Sequence, residues 1–194
     1  QLLGVEIART DNGIALTQTV KIEDLYNNYK YIFVSDQEAE KMELSKVQRR
    51  VRYLLRKDNA AFFARKHTMP MSVDRVIDEE GDAPTSEEDR ELMKLINFRS
   101  ILQTVAQLWT RRDFKFYVSV CSRCQVNPGK SNLMDMLRMI QVLHHTKDYS
   151  LKYEKTVDNP ELVGFSDANW AQDICQSRSR SGGLTQFGGM TVMV

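Results

Sequence analysis

The sequence predicts an α+β protein with an N-terminal β-hairpin, a helical centre and C-terminal antiparallel strands. Three observations carry this. Apolar residues alternate around Asp11-Asn12-Gly13, recur at helical spacing through the middle of the chain, and return to alternation past His145. The 194 residues are 42% hydrophobic and 27% charged, enough for one ordinary domain or two small ones around a packed core. With 27 Lys+Arg against 26 Asp+Glu the net charge is +1, which excludes nucleic-acid binding by bulk electrostatics and leaves only a local patch.

In the first element Leu3, Val5 and Ile7 alternate, Asp11-Asn12-Gly13 turns the chain, and Ile14 and Leu16 resume the alternation. Thr17 or Thr19 then caps a helix through Ile22, Leu25 and Tyr26, with Glu23 and Asp24 near its positive end. From Ser35 to Lys57 one basic amphipathic helix is expected. Leu44, Val47, Val51, Leu54 and Leu55 form its apolar stripe, and Lys46, Arg49, Arg50, Arg52, Arg56 and Lys57 surround it. Between Asp74 and Glu91 nine acidic residues face only Arg75 and Arg90, and Gly81 and Pro84 break regular structure, so this reads as an acidic linker. The neutral total is therefore a positive block plus a negative block, which can pair with each other in the folded state.

Thr85-Ser86-Glu87-Glu88 opens a long helical stretch through Leu92, Leu95, Ile96, Ile101, Leu102, Val105 and Leu108. Asp113 starts a second helix through Phe114, Tyr117, Val118 and Cys121, which Asn127-Pro128-Gly129 stops. Ser131 or Asn132 caps a third, with Leu133, Met136, Leu137, Ile140 and Leu143 on its core face. Leu151 and Tyr153, the run Leu162 to Asp167, and Leu184, Gln186 and Thr191 are strands, and the last 44 residues read as one β module. The segments are 1–29 (hairpin and first helix), 30–66 (basic helical insertion), 67–84 (acidic linker), 85–150 (helices) and 151–194 (strands).

No apolar run is long enough to span a bilayer, and the N-terminus reads as a strand rather than a signal peptide, so no membrane partner is expected. Cys121 and Cys124 form a single Cys-x-x-Cys, Cys175 stands apart, and His144 and His145 lie about twenty residues further on. This pattern favours reduced, half-buried helical cysteines over a zinc site and places the protein inside the cell. Trp109 and Trp170 are expected in core or hairpin packing. Lys46, Arg49, Arg50, Arg56 and Lys57 are candidate phosphate contacts, set against the plainer reading of a solvated face.

Seven segments stand out in order: Leu2-Leu3-Gly4-Val5-Glu6-Ile7 with Asp11 to Gln18 and Lys21-Ile22-Glu23-Asp24-Leu25, then Thr68-Met69-Pro70-Met71 and Phe98-Arg99-Ser100. Thr110-Arg111-Arg112-Asp113, Cys121-Ser122-Arg123 with Asn127-Pro128, His145-Thr146-Lys147-Asp148 and Leu162 to Ala171 follow. In this order they resemble the copia-type retrotransposon Pol polyprotein. The resemblance implies that the hairpin ends a reverse-transcriptase palm, that the helices are thumb and connection, and that residues 151–194 begin a partial ribonuclease H-like fold. It makes Asp167 the first ribonuclease H carboxylate and a metal ligand, in chemistry that needs a carboxylate cluster around two Mg²⁺ ions. The polymerase Tyr-x-Asp-Asp and the remaining nuclease carboxylates do not occur here. The resemblance therefore implies a degenerate, non-catalytic fragment with no cofactor of its own and no small-molecule substrate. Its ancestral partner is an RNA–DNA hybrid or primer-template, and its location a cytoplasmic virus-like particle or the nucleus. The residues alone also admit a small helical interaction or nucleic-acid-binding module unrelated to that chemistry.

Overall fold

The structure, a computed structural model, describes residues 4–72, 74–155, 160–169 and 179–193. It is α+β, with an N-terminal hairpin, eight α-helices and two three-stranded antiparallel sheets among those residues. Strands β1 (Glu6–Thr10) and β2 (Gly13–Thr17) form the hairpin, in register from Glu6 opposite Thr17 to Thr10 opposite Gly13. Gly13 does not supply the positive φ expected of the turn. It is needed because a Cβ there would lie 2.0 Å from the Tyr153 carbonyl oxygen on β3 (Leu151–Glu154).

Strand β3 pairs with the open edge of β2, placing Leu151 opposite Leu16 and Tyr153 opposite Ile14. The expectation of one β module over the last 44 residues is thus corrected. The alternation of Leu151 and Tyr153 matches the hairpin's own apolar alternation, and pairing there covers an edge that a two-stranded ribbon leaves bare. Strands β4 (Leu162–Asn169), β5 (Arg180–Phe187) and β6 (Met190–Met193) make the second sheet in that order, with Gly188 and Gly189 at φ 56° and 79° turning β5 into β6. The Tyr153 hydroxyl donates to the Thr191 carbonyl at 2.9 Å and ties the sheets together.

Helix α1 (Thr19–Phe33) buries Ile22, Leu25 and Ile32, and its N-terminus is capped from β1 rather than by Thr17 or Thr19. The Glu6 carboxylate accepts from the amides of Thr19 (3.0 Å) and Val20 (3.1 Å) and from the Thr17 hydroxyl (2.8 Å). The single helix expected from Ser35 to Lys57 is two, α2 (Asp36–Glu40) and α3 (Lys46–Arg56). Each has its own capping box, Ser35 with Glu38 and Ser45 with Gln48, and the second box restarts the backbone in a new direction.

A short α4 (Ala60–Ala64) follows. The long stretch from Thr85 also divides, into α5 (Glu87–Leu95) and α6 (Phe98–Ala106), because the Asn97 side chain accepts from the Ser100 amide at 2.9 Å and caps a new helix. A 3₁₀ turn at Arg112–Phe114 leads into α7 (Lys115–Cys121). Helix α8 (Lys130–His145) is the centre of the core, with Leu133, Met136, Leu137, Met139, Ile140 and Leu143 all buried and α1, α5 and α6 packed around it. Each such side chain contributes about 1.5–3 kcal/mol on leaving water.

The acidic segment is tied to the start of α8. Asp82 accepts from Arg75 (2.6 Å), from the Ser131 hydroxyl (3.0 Å) and from the Asn132 amide (3.1 Å), and Arg75 also reaches Asp135 at 2.8 Å. Gly129 is obligatory, since a Cβ there would meet the Asp82 carbonyl oxygen at 1.8 Å. Burial raises the Asp135 pKa despite Arg75. At Asp82 burial acts the same way, but the bonds from Arg75, the Asp78 amide and Ser131 prevail and hold its pKa down.

Two outcomes are expected. Replacing Glu6 by alanine uncaps α1 and costs about 1 kcal/mol in chemical denaturation. Burial opposes ionisation of Glu6, but the bonds from Thr17, Val20 and Thr19 keep its folded pKa below the ordinary 4.5. Its contribution is therefore complete above that value and lost as pH falls through the folded pKa, so the wild type and Glu6→Ala converge in acid. The second concerns His144, whose ring stacks on Tyr26 at 3.6 Å with its Nδ1 buried and without a hydrogen-bond partner. Burial first, then the charge of Lys147 and the neighbouring His145, lower its pKa below 6.5, against a smaller opposing pull from Glu23. The unfolded chain takes up that proton first as pH drops, so stability declines below the ordinary value, and His144→Phe makes the decline shallower in urea melts between about pH 5 and 7.

Candidate functional site

Helix α3 begins at Ser45 and places cations on three sides. Arg52 is almost wholly buried, and its guanidinium donates to the carbonyls of Tyr31 (2.6 Å), Ile32 (3.3 Å) and Val34 (2.9 Å) and to Asp36 at 2.5 Å. It closes the C-terminus of α1, whose last carbonyls have no partners within the helix. Arg56 donates to the Ile32 carbonyl at 3.2 Å, stands 3.7 Å from Asp36 and lies over the Phe63 ring.

Arg50 and Lys57, on the neighbouring stripe, pair with Glu91 and Glu88 of α5; the Arg50 pair is bidentate, at 2.6 and 2.8 Å. Exposed pairs of this kind add little stability, but they cancel charge. Of the five candidate phosphate contacts, Arg50, Arg56 and Lys57 are thus engaged within the chain. Lys46 and Arg49 are exposed.

Between α2 and α3 lies an open groove of about 610 Å³. Ala39, Met42, Leu44 and Ala60 supply apolar lining, and Tyr53 stands at its side, 55% exposed. Arg49, Arg52, Arg56 and Lys57 bring positive charge against Asp36 and Glu40. The Arg52 hydrogen bond holds the Asp36 carboxyl below the usual range, and burial, then the like charge of Arg52, lowers Arg56. Two guanidiniums therefore share one carboxylate that is itself mostly in water, an arrangement suited to a further anion. Sequence reasoning found the basic helix but not this groove. The readable signal was the second capping box, Ser45-x-x-Gln48, which requires a break before α3 and hence a concave corner.

The structure puts Asp167 elsewhere, on β4, exposed and opposite Gly182. No group of three or more His, Cys, Asp or Glu suited to a metal ion occurs among the described residues. Cys121 and Cys124 are buried free thiols; burial raises Cys121 strongly and Cys124 to about 11, so neither ionises readily. Trp109, expected in packing, is 62% exposed, and Trp170 and Cys175 lie outside the described residues.

The roles of the arginines separate experimentally. Arg52→Ala takes a donor from three carbonyls at the end of α1, of which Ile32 keeps its bond from Arg56, and is expected to cost about 3 kcal/mol in thermal or urea melts. Arg49→Ala is expected to stay within about 0.5 kcal/mol of wild type. Equal losses would mean that Arg52 does not cap α1.

No family model and no solved structure matches the chain. Among curated proteins it is similar to the secreted RxLR effector protein 161 of Plasmopara viticola, with 31% identity over 99 residues, covering 50% of this chain and 69% of the relative. This finding overturns the copia-type retrotransposon resemblance, and with it the reverse transcriptase and ribonuclease H fragment reading. The words that carried the resemblance are turn, cap and strand patterns that many α+β chains use. The intracellular location, in a virus-like particle or the nucleus, falls for the same reason, because this relative is a secreted protein. With 31% identity across 69% of the relative's length, the chain belongs to the family of the secreted RxLR effector protein 161.

Proposed function

We propose that this protein is a secreted effector, exported by the organism that makes it and acting on a component outside that organism's own cells. The observation that carries this reading is the 31% identity to a secreted effector across 69% of that protein's length. The surface is compatible with such a task, since the groove gathers guanidiniums and apolar side chains where a partner can dock. The fold suits a protein that works in varied surroundings. Its described thiols are buried and largely protonated, which protects them from oxidation and disulfide exchange.

The test is fractionation of the producing organism with an antibody against residues 1–194. The protein is expected in the culture filtrate or in surrounding tissue while a cytosolic marker stays with the cells. Retention of all the protein with the cells, under conditions where other secreted proteins are exported, rejects the reading.

A further inference from the structure

We propose that the groove between α2 and α3 is the docking site for an acidic amphipathic helix of a partner protein, held by Arg49 and Arg56 against Met42, Leu44 and Tyr53. This supplies the partner class that the effector reading leaves open, and rests on that reading only for where the encounter takes place.

The molecule already contains one such complex. Helix α3 carries two adjacent pairs of cations at the same seven-residue spacing, Arg50 with Lys57 and Arg49 with Arg56. Two turns of helix separate the members of each pair by about 10.5 Å. The first pair binds an acidic amphipathic helix of the chain itself: Glu91 and Glu88 of α5 meet Arg50 and Lys57, while Leu92 is buried beside them. The second pair repeats that spacing along the groove, with apolar lining from Met42 and Leu44 where α5 offers Leu92 to the core.

The second pair is also short of negative charge. The Arg49 side chain makes no ion pair or hydrogen bond among the described residues, and Arg56 has only a 3.7 Å approach to a carboxylate, that of Asp36, which is 81% exposed and already bonded to Arg52. Carboxylates one turn apart on an incoming helix, as Glu88 and Glu91 are on α5, match the two guanidiniums. Apolar residues on the same face match the lining, within a cleft of the ~300–1,000 Å³ size that takes a ligand.

A nucleic acid fits less well. Asp36 and Glu40 stand at the groove and repel a phosphate backbone, and Arg50 and Lys57 are neutralised by α5. A helix that brings only two carboxylates needs just the second cation pair, and its apolar face gains contacts with Met42 and Leu44 that a phosphate backbone cannot make.

The experiment uses the purified full chain and a fluorescein-labelled peptide with the sequence of Ser86 to Leu95, stapled into a helix through the positions of Asp89 and Met93. Anisotropy is expected to rise to saturation, with affinity that weakens as salt is added. Arg49→Glu and Leu44→Asp are each expected to weaken binding about tenfold, and a peptide with lysine at the positions of Glu88 and Glu91 is expected not to bind. The Arg49 side chain is exposed and without a partner among the described residues, so an unchanged melting temperature for Arg49→Glu establishes that the fold is intact. No binding by the wild type overturns the proposal, as does equal binding by Arg49→Glu. Displacement of the peptide by a single-stranded oligonucleotide whose own binding needs Arg49 overturns it in favour of a nucleic acid. Secretion plays no part in this measurement, so failure here leaves the effector reading standing, and failure of export leaves the groove standing.

Discussion

A helix that ends inside a protein leaves backbone groups that water cannot reach, and in this molecule charged side chains from elsewhere in the chain meet them. Arg52 of α3 closes the end of α1, Arg111 donates to the Thr146 carbonyl at the end of α8 (3.1 Å), and Lys115 donates to the Ala106 carbonyl at the end of α6 (2.7 Å). At the opposite poles, Glu6 receives the first amides of α1, and Asp82 sits at the start of α8. Cations stand at C-termini and carboxylates at N-termini, as the helix dipole favours. Each orphan group left dry would cost about 1–3 kcal/mol, so these contacts decide whether short helices can pack around α8 at all.

Charges fixed in this way are no longer available to a partner. The near-zero net charge therefore describes a set of internal pairings, in which α3 meets α5 through Arg50 and Lys57 and the acidic segment meets α8 through Arg75. What matters for recognition is the remainder. Around α3 that remainder is Lys46, Arg49 and the incompletely matched Arg56, beside the apolar corner that the break between α2 and α3 creates. The corner depends on Arg52, because that guanidinium joins the end of α1 to Asp36 at the start of α2 and so sets the wall opposite α3.

Local features were legible in the sequence and non-local ones were not. The hairpin followed from alternation about Asp11-Asn12, and the burial of Leu133, Met136, Leu137, Ile140 and Leu143 followed from their helical spacing. The pairing of the basic and acidic blocks was also readable, since opposite charges in bulk have few other places to go. The breaks at 41–45 and 96–97 were written in Ser45-x-x-Gln48 and Asn97, but continuous periodicity masked them. The pairing of β3 with β2 and the capping of α1 by Glu6 join residues that periodicity treats separately, and no local pattern announces them. Gly13 shows the difference well. Its place beside a turn suggested backbone freedom, whereas its actual constraint is a carbonyl oxygen from a strand more than a hundred residues away.

The same distinction explains why motif words led to the wrong ancestry. Asn127-Pro128 stops a helix, Asp11-Asn12-Gly13 makes a turn, and Leu162-Val163-Gly164-Phe165 makes a strand in any protein that needs one at that point. Such words constrain a few neighbouring dihedral angles, so they recur wherever the local geometry recurs. Identity sustained over 99 residues is a different kind of constraint. It spans turns, caps and buried positions together, and buried positions are coupled because each must fill the space its neighbours leave. The vestigial metal-ligand role of Asp167 came with the resemblance and rested on the first kind of constraint alone. Asp167 itself lies on β4, exposed and opposite Gly182.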